Sequence, residues 1–268
     1  MIRSSMIVLF AVAGSTVALG QTTLDFDTPG IAVGPSQAPG VWYTDRYAPA
    51  DFESGYMFGG NGRLRQGIHA DDGTSARPSS FSSTFYDTQG RKYDNDSGTT
   101  SMSIDLYVPG DWATTGRRMA GFWGTAVDGA DAISGFPIIE FTSNDDDDGS
   151  GARFRYYTQD VDQDPGNGLA PGWLSMGLPT GFNYDSWHTL EIELDGSDWL
   201  ASVNGQQLIV DNATVGSVGI DNVILQGHNT DAGVTYDILW DNYAAVPAPG
   251  SLALLGLAGL TAARRRRV

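Results

Sequence analysis

The sequence contains no cysteine. That excludes a disulfide framework, a thiolate metal site and dithiol redox chemistry, and leaves stability to a hydrophobic core. Basic residues are scarce, with 15 Lys and Arg against 32 Asp and Glu over 268 residues, a net charge of −17. Five of the basic residues, Arg3 and Arg264 to Arg267, lie at the two ends. The stretch between them holds ten against 32 acids and stands near −22. Such a surplus repels a phosphate backbone and excludes nucleic acid as a partner. Histidine is rarer still: His69, His188 and His228 are isolated, and no His-Glu-x-x-His zinc helix occurs. There is no Gly-x-Ser-x-Gly elbow and no Gly-Lys phosphate loop. Sustained helical periodicity is also missing.

What is present is period-two alternation broken by Gly, Pro, Asn and Asp. Met102, Ile104, Leu106 and Val108 alternate with polar partners and stop at Pro109-Gly110. Leu190, Ile192 and Leu194 alternate with Thr189, Glu191 and Glu193, and turn at Asp195-Gly196. Asn204-Gly205 then reads as a hairpin, because both residues tolerate positive φ. Further strands are expected at 23–26, 136–142, 152–158, 222–225 and 235–243. With 35 glycines, 41% hydrophobic residues and no internal repeat, the pattern predicts an all-β chain folded as one antiparallel β-sandwich over residues 21–245.

The two ends read differently. Arg3, the apolar stretch 6–19 and the small-residue site at Ala18-Leu19-Gly20 follow the order of a secretory signal peptide over residues 1–20. Signal peptidase is the implied partner. In residues 246–268, Pro247 and Pro249 break the chain, a short apolar stretch follows, and Arg264, Arg265, Arg266 and Arg267 close it. The apolar part is shorter than the roughly 20 residues of a stable transmembrane helix. These features together resemble the PEP-CTERM sorting signal of Gram-negative bacteria, with Ala248 in place of the usual glutamate. The resemblance implies an exosortase-type sorting protease as partner. It also implies transient anchoring in the inner membrane, then release to the cell surface or extracellular matrix.

Trp187-His188-Thr189-Leu190-Glu191-Ile192-Glu193-Leu194 with Val203-Asn204-Gly205-Gln206, and the closing Tyr236-Asp237-Ile238-Leu239-Trp240-Asp241-Asn242-Tyr243, resemble the concanavalin A-like, laminin-G-type jelly roll. That fold hosts lectins, lyases, glycosidases and adhesion modules, so it specifies shape rather than activity.

Candidate chemistry follows three lines. Paired carboxylates would serve a glycosidase, but Glu191, Glu193 and Asp195 form an ordinary half-buried alternation. Glu140, in Pro137-Ile138-Ile139-Glu140-Phe141, is a lone acid. Clustered Asp and Asn in loops suit calcium: residues 144–148, and Asp160, Asp162 and Asp164, are candidates. The resemblance implies a better one, a structural Ca2+ held by Asp25 or Asp27 with Asp241, tying the first strand to the last. Glycan binding needs aromatic platforms, and among Trp42, Trp112, Trp123, Trp173 and Tyr157 the expectation rests on Trp123, Trp173 and Tyr157. The resulting expectation is an exported, non-catalytic jelly roll, not an enzyme, that binds extracellular polysaccharide or serves structurally. The alternative is a polysaccharide-degrading glycosidase or lyase on the same fold.

Overall fold

The computed structural model describes residues 21–69, 88–116, 118–143, 151–158, 172–212, 216–228 and 235–248. The expected signal peptide, the apolar stretch and arginines of the tail, and the acidic loops at 144–148 and 160–164 lie outside the described residues.

The strands, in chain order, are β1 (Thr22–Leu24), β2 (Val33–Gly34), β3 (Trp42–Tyr43), β4 (Asp51–Phe58), β5 (Asn61–Ile68) and β6 (Gln89–Asp94). They continue with β7 (Thr99–Val108), β8 (Met119–Asp128), β9 (Ile133–Gly135), β10 (Ile138–Thr142), β11 (Arg153–Thr158) and β12 (Gly172–Gly177). The last are β13 (Ser186–Asp195), β14 (Asp198–Val203), β15 (Gln206–Asn212), β16 (Ser217–His228) and β17 (Tyr236–Pro247). Sheet A runs β15-β14-β13-β7-β17-β5-β4, with β1 added to β17. Sheet B runs β12-β11-β10-β8-β16-β6-β3-β2, with β9 added to β8. Apart from the short β2–β3 pair, the strands of these ladders are antiparallel. The fold is the expected all-β jelly-roll sandwich.

The sequence alternation explains sheet A directly. Met102, Ile104, Leu106 and Val108 on β7 are fully buried, while Ser103, Asp105 and Tyr107 between them are not. β13 repeats the pattern with His188, Leu190, Ile192 and Leu194 inward. The 204–205 hairpin has φ of 54° at Asn204 and 70° at Gly205, as positive-φ residues require. Asn204 Oδ1 also accepts a bond from Thr189 N, so the turn is stitched to β13.

Between the sheets one continuous core forms from Trp42, Phe52, Leu64, Phe122, Phe141, Phe154, Tyr156, Trp199, Trp240 and their neighbours. Polar side chains also bridge the two sheets, among them Tyr236, whose hydroxyl meets Met119 and His228. Gln66 on β5 donates from Nε2 to the Gln89 carbonyl on β6, and its Oε1 accepts from Trp240 Nε1. A buried amide with both ends satisfied ties sheet A to sheet B without an unpaired group.

Candidate functional site

Sheet B departs from simple alternation. On β8 every residue from Met119 to Ala126 is buried, and every residue of β10 is buried as well. Ala120, Phe122, Ile139, Phe141, Val223 and Leu225 face the core. Since side chains alternate along a strand, the residues between them lie on the outer face. There Trp123, Ile138 and Ile224 form a second apolar cluster, joined by Phe136 and Tyr157.

Strand register organises this outer face into rows. One row is apolar: Trp173 on β12 pairs with Tyr157, Tyr157 with Ile138, Ile138 with Trp123, Trp123 with Ile224, and Ile224 with Lys92. All three aromatic residues expected to contact glycan therefore share one row, with Trp173 and Tyr157 ring to ring at 5.2 Å. Trp42 and Trp112, the other sequence candidates noted here, are core residues instead. Trp42 packs on Phe52 and Tyr93, and Trp112 stacks on Phe141.

The next row, two residues (about 7 Å) along the strands, is polar. It reads Arg155 on β11, Glu140 on β10, Gly121 on β8, Gln226 on β16 and Gly90 on β6. Glu140 has no solvent exposure and is ion-paired with the Arg155 guanidinium through Oε1. Arg155 also lies 4.1 Å over the Trp173 ring and donates to Met119 Sδ. On the other side, Gln226 Nε2 reaches Glu140 Oε2 at 3.5 Å. It reaches it across Gly121, where a Cβ would sit 2.6 Å from that Nε2. Arg46 reaches to the far end of the row beside Gly90, with its guanidinium 4.9 Å over Trp123.

Gln226 Oε1, Thr125 Oγ1 and Asn222 Oδ1 are buried on this face and find no hydrogen-bond partner among the described residues. A buried pair of charges costs desolvation unless well bonded, and a half-satisfied buried amide costs more than an apolar residue. Each such group calls for a partner beyond these residues, a water, an ion or a ligand. The lone acid of the sequence reading thus acquires Arg155 and Gln226 as partners. Only the three-dimensional register brings them together, 15 and 86 residues away in the chain.

The other sequence candidates fall elsewhere. Glu191, Glu193 and Asp195 are on the outer face of sheet A, solvent-facing or half-buried, and Glu191 accepts from Ser202. His188 is a core residue: one ring nitrogen meets the Asn183 carbonyl at 2.9 Å, the other the Asn204 side chain at 3.0 Å. Its ring stacks on Phe182, and burial lowers its pKa below the usual imidazole value, with the Asn183 bond opposing.

The calcium residues do not assemble as a chelate. Arg63 Nη1 stands between Asp241 Oδ2 at 2.7 Å and Asp27 Oδ1 at 3.6 Å, so a guanidinium supplies the positive charge there. Asp25 instead accepts from the Asp27 backbone. Among the described residues no three acidic or histidine side chains are grouped to hold a metal ion. The donor set does not fit the cation. A pocket of about 480 Å³ opens nearby, lined among others by Asp25, Phe26, Asn242 and Tyr243. It lies at the β1–β17 edge of sheet A, away from the polar row.

No family model matches the chain, and no curated protein matches it. Solved structures do. The catalytic domain of an endo-1,3-beta-glucanase (laminarinase) from Thermotoga petrophila superposes with a TM-score of 0.50 at 12% identity, over 84% of this chain and 95% of that one. A non-specific endo-beta-1,3(4)-glucanase from family GH16 gives 0.49 at 14% identity, over 86% and 93%. The beta-glucanase of Bacillus licheniformis gives 0.47 at 12%, over 85% and 99%. At these identities the likeness is one of fold, the concanavalin A-like jelly roll. It corrects the expectation of a non-catalytic domain that is no enzyme: what the fold resembles, nearly end to end, is a glucanase catalytic domain.

Proposed function

We propose that the chain is an exported polysaccharide-degrading enzyme and that the outer face of sheet B is its site. In this reading the row from Trp173 to Ile224 holds the sugar chain, and Glu140 in the adjoining row is the proton-transferring group. The observation that carries it is Glu140 itself. A carboxylate with no exposure, ion-paired with Arg155 and facing the Gln226 amide, whose Oε1 is itself unpartnered, lies beside an aromatic row. Sugar rings stack their C–H faces on such rings, and a positioned carboxyl is the standard proton donor or acceptor at a glycosidic bond. Likeness to the laminarinase and glucanase domains supports the reaction class. A β-glucan is the first substrate to try. The sequence near both termini supports the export route: cleavage by signal peptidase, then sorting to the cell surface or matrix by an exosortase-type protease.

The test uses the full chain on a panel of laminarin, lichenan, xylan, agar and alginate, scoring new reducing ends and new unsaturated ends together. Reducing ends alone identify a hydrolase, and unsaturated ends a lyase. Intact substrates across the panel would overturn the proposal.

A further inference from the structure

The outer face of sheet A repeats an arrangement seen on sheet B: an arginine that lies over an indole and pairs with a buried acid. Arg63 stands 5.1 Å over the Trp187 ring, with Nη1 on Asp241 Oδ2 at 2.7 Å. Trp187 on β13 pairs in register with Tyr107 on β7, their rings 5.4 Å apart. Phe58, at the end of β4, closes on both, 4.6 Å from Tyr107 and 6.3 Å from Trp187. The three half-buried rings are tilted by 57°, 64° and 76° to one another, so they make a cup rather than a plane. Two residues along the strands, Asp105 and Asp241 face each other across β7 and β17. Asp105 accepts from Thr189 on one oxygen and from Asn242 on the other. Asp241 is less well met. It is 4% exposed, and neither its Oδ1 nor Arg63 Nε finds a hydrogen-bond partner among the described residues.

We propose that this face is a second carbohydrate site, which holds an uncharged polysaccharide on the side of the sandwich away from Glu140. The unmet groups select the chemistry. Asp241 Oδ1, ionised beside Arg63, only accepts, and Arg63 Nε only donates. A hydroxyl does both. An anion would suit Arg63 alone and would meet Asp27 and Asp241 at that guanidinium, with Asp105 and Asp185 beside them. A cation would suit Asp241 alone. An apolar cup with a few convergent polar groups is the usual build of a small-ligand site, and the rings offer faces for sugar C–H groups. The patch is too small to hold a protein. Three rings, each less than half exposed, present well under the roughly 800 Å² per partner that a stable interface buries. The proposal concerns holding and not cleavage, and does not depend on the reading of sheet B.

The experiment counts sites. Laminarihexaose, cellohexaose and xylohexaose are titrated calorimetrically into the full chain and into Trp187→Ala, Trp187→Phe and Trp173→Ala. A Glu140→Gln background is used wherever the wild type cuts the probe. With both faces working, the tightest probe binds twice per chain, and Trp187→Ala and Trp173→Ala each remove one site. Trp187→Phe should keep its site with affinity lowered by about tenfold. A single site that is lost in Trp187→Ala and kept in Trp173→Ala would support this proposal and remove the reading of sheet B. A single site lost only in Trp173→Ala would overturn the proposal and leave cleavage standing. So would two sites that both survive Trp187→Ala. No binding of any probe would overturn it as well, as would an alginate hexamer that displaces the probe from the Trp187 site. A wild-type dimer that Trp187→Ala dissolves would assign the patch to a second copy of the chain, against the proposal. Hydrogen exchange with Trp187 intact keeps the test open where its substitution disturbs folding. Amides of residues 56–63 and 185–189 should exchange more slowly with the hexasaccharide present, and unchanged exchange there would overturn the site.

Discussion

The two outer faces of the sandwich are built on different rules. On sheet A the strands alternate, so β7 and β13 bury one side and leave the other solvated or half-covered. On sheet B the central strands β8 and β10 are buried on both sides. The first pattern is what a sheet with one wet face requires. The second means that the outer face of sheet B carries a further layer of organised side chains, and that layer contains Glu140, Arg155 and Gln226. Two buried glutamines sharpen the contrast. Gln66, between the sheets, has both ends of its amide satisfied. Gln226, on the outer face of sheet B, has one end unpartnered and the other at a long contact. The same residue type at the same depth is structural in one place and uncommitted in the other. An uncommitted buried polar group is a better pointer to a site than an exposed charged one.

The comparison can be broken or sharpened by substitution. The largest stability effect is expected on the core side of the alternating strand. Ile104→Ala removes a fully buried side chain and should cost about 2–5 kcal/mol in chemical denaturation. Its outward neighbour Ser103→Ala should change stability by less than about 0.5 kcal/mol. A similar cost at both positions would mean that sheet A is covered on both faces.

Sheet B should respond at a position where sheet A would not. Gly121→Ala places a methyl group 2.6–2.7 Å from Gln226 Nε2 and Cγ, and is expected to cost about 1–3 kcal/mol by overpacking. Adding Gln226→Ala opens the space and should recover most of that loss. A Gly121→Ala variant as stable as wild type would show that Gln226 does not lie across the row.

The smallest effect concerns pH and belongs to the core side of sheet A. Burial lowers the His188 pKa below its ordinary 6.5, so the folded state binds this proton less readily than the unfolded chain does. The stability from neutral His188 is complete above pH 6.5 and is lost as pH falls below it. The thermal midpoint of the wild type should therefore drop more steeply on acidification than that of His188→Gln. Parallel curves would show that His188 titrates as it does in water.

The sequence made sheet A and the closing hairpin legible because period-two alternation and Asn204-Gly205 are local signals. β8 was not legible. Its stretch Met-Ala-Gly-Phe-Trp-Gly-Thr-Ala-Val has no alternation to detect, since both of its faces are buried. β4 and β5 escaped because Asp51–Phe58 and Asn61–Ile68 mix charged and glycine residues and gain their order from pairing with each other and with β17. Of the proposed site, Trp123, Trp173 and Tyr157 could be named from residue type, and Glu140 could be noticed as a lone acid. Its partners could not, because Arg155 and Gln226 reach it only through the β11-β10-β8-β16 register. Nor does anything in the sequence place Arg63 between Asp27 and Asp241, two of the residues expected to hold calcium.

The central claim is that the working face is that of sheet B and not sheet A, and one pair of isosteric substitutions tests it. Chain-end release is measured for the wild type, Glu140→Gln and Glu191→Gln on the polysaccharide the wild type cleaves fastest. The expected result is a loss of at least about 100-fold for Glu140→Gln, with Glu191→Gln unchanged and all three proteins folded. A Glu140→Gln variant that cleaves at the wild-type rate, or a Glu191→Gln variant that loses as much, would contradict the account.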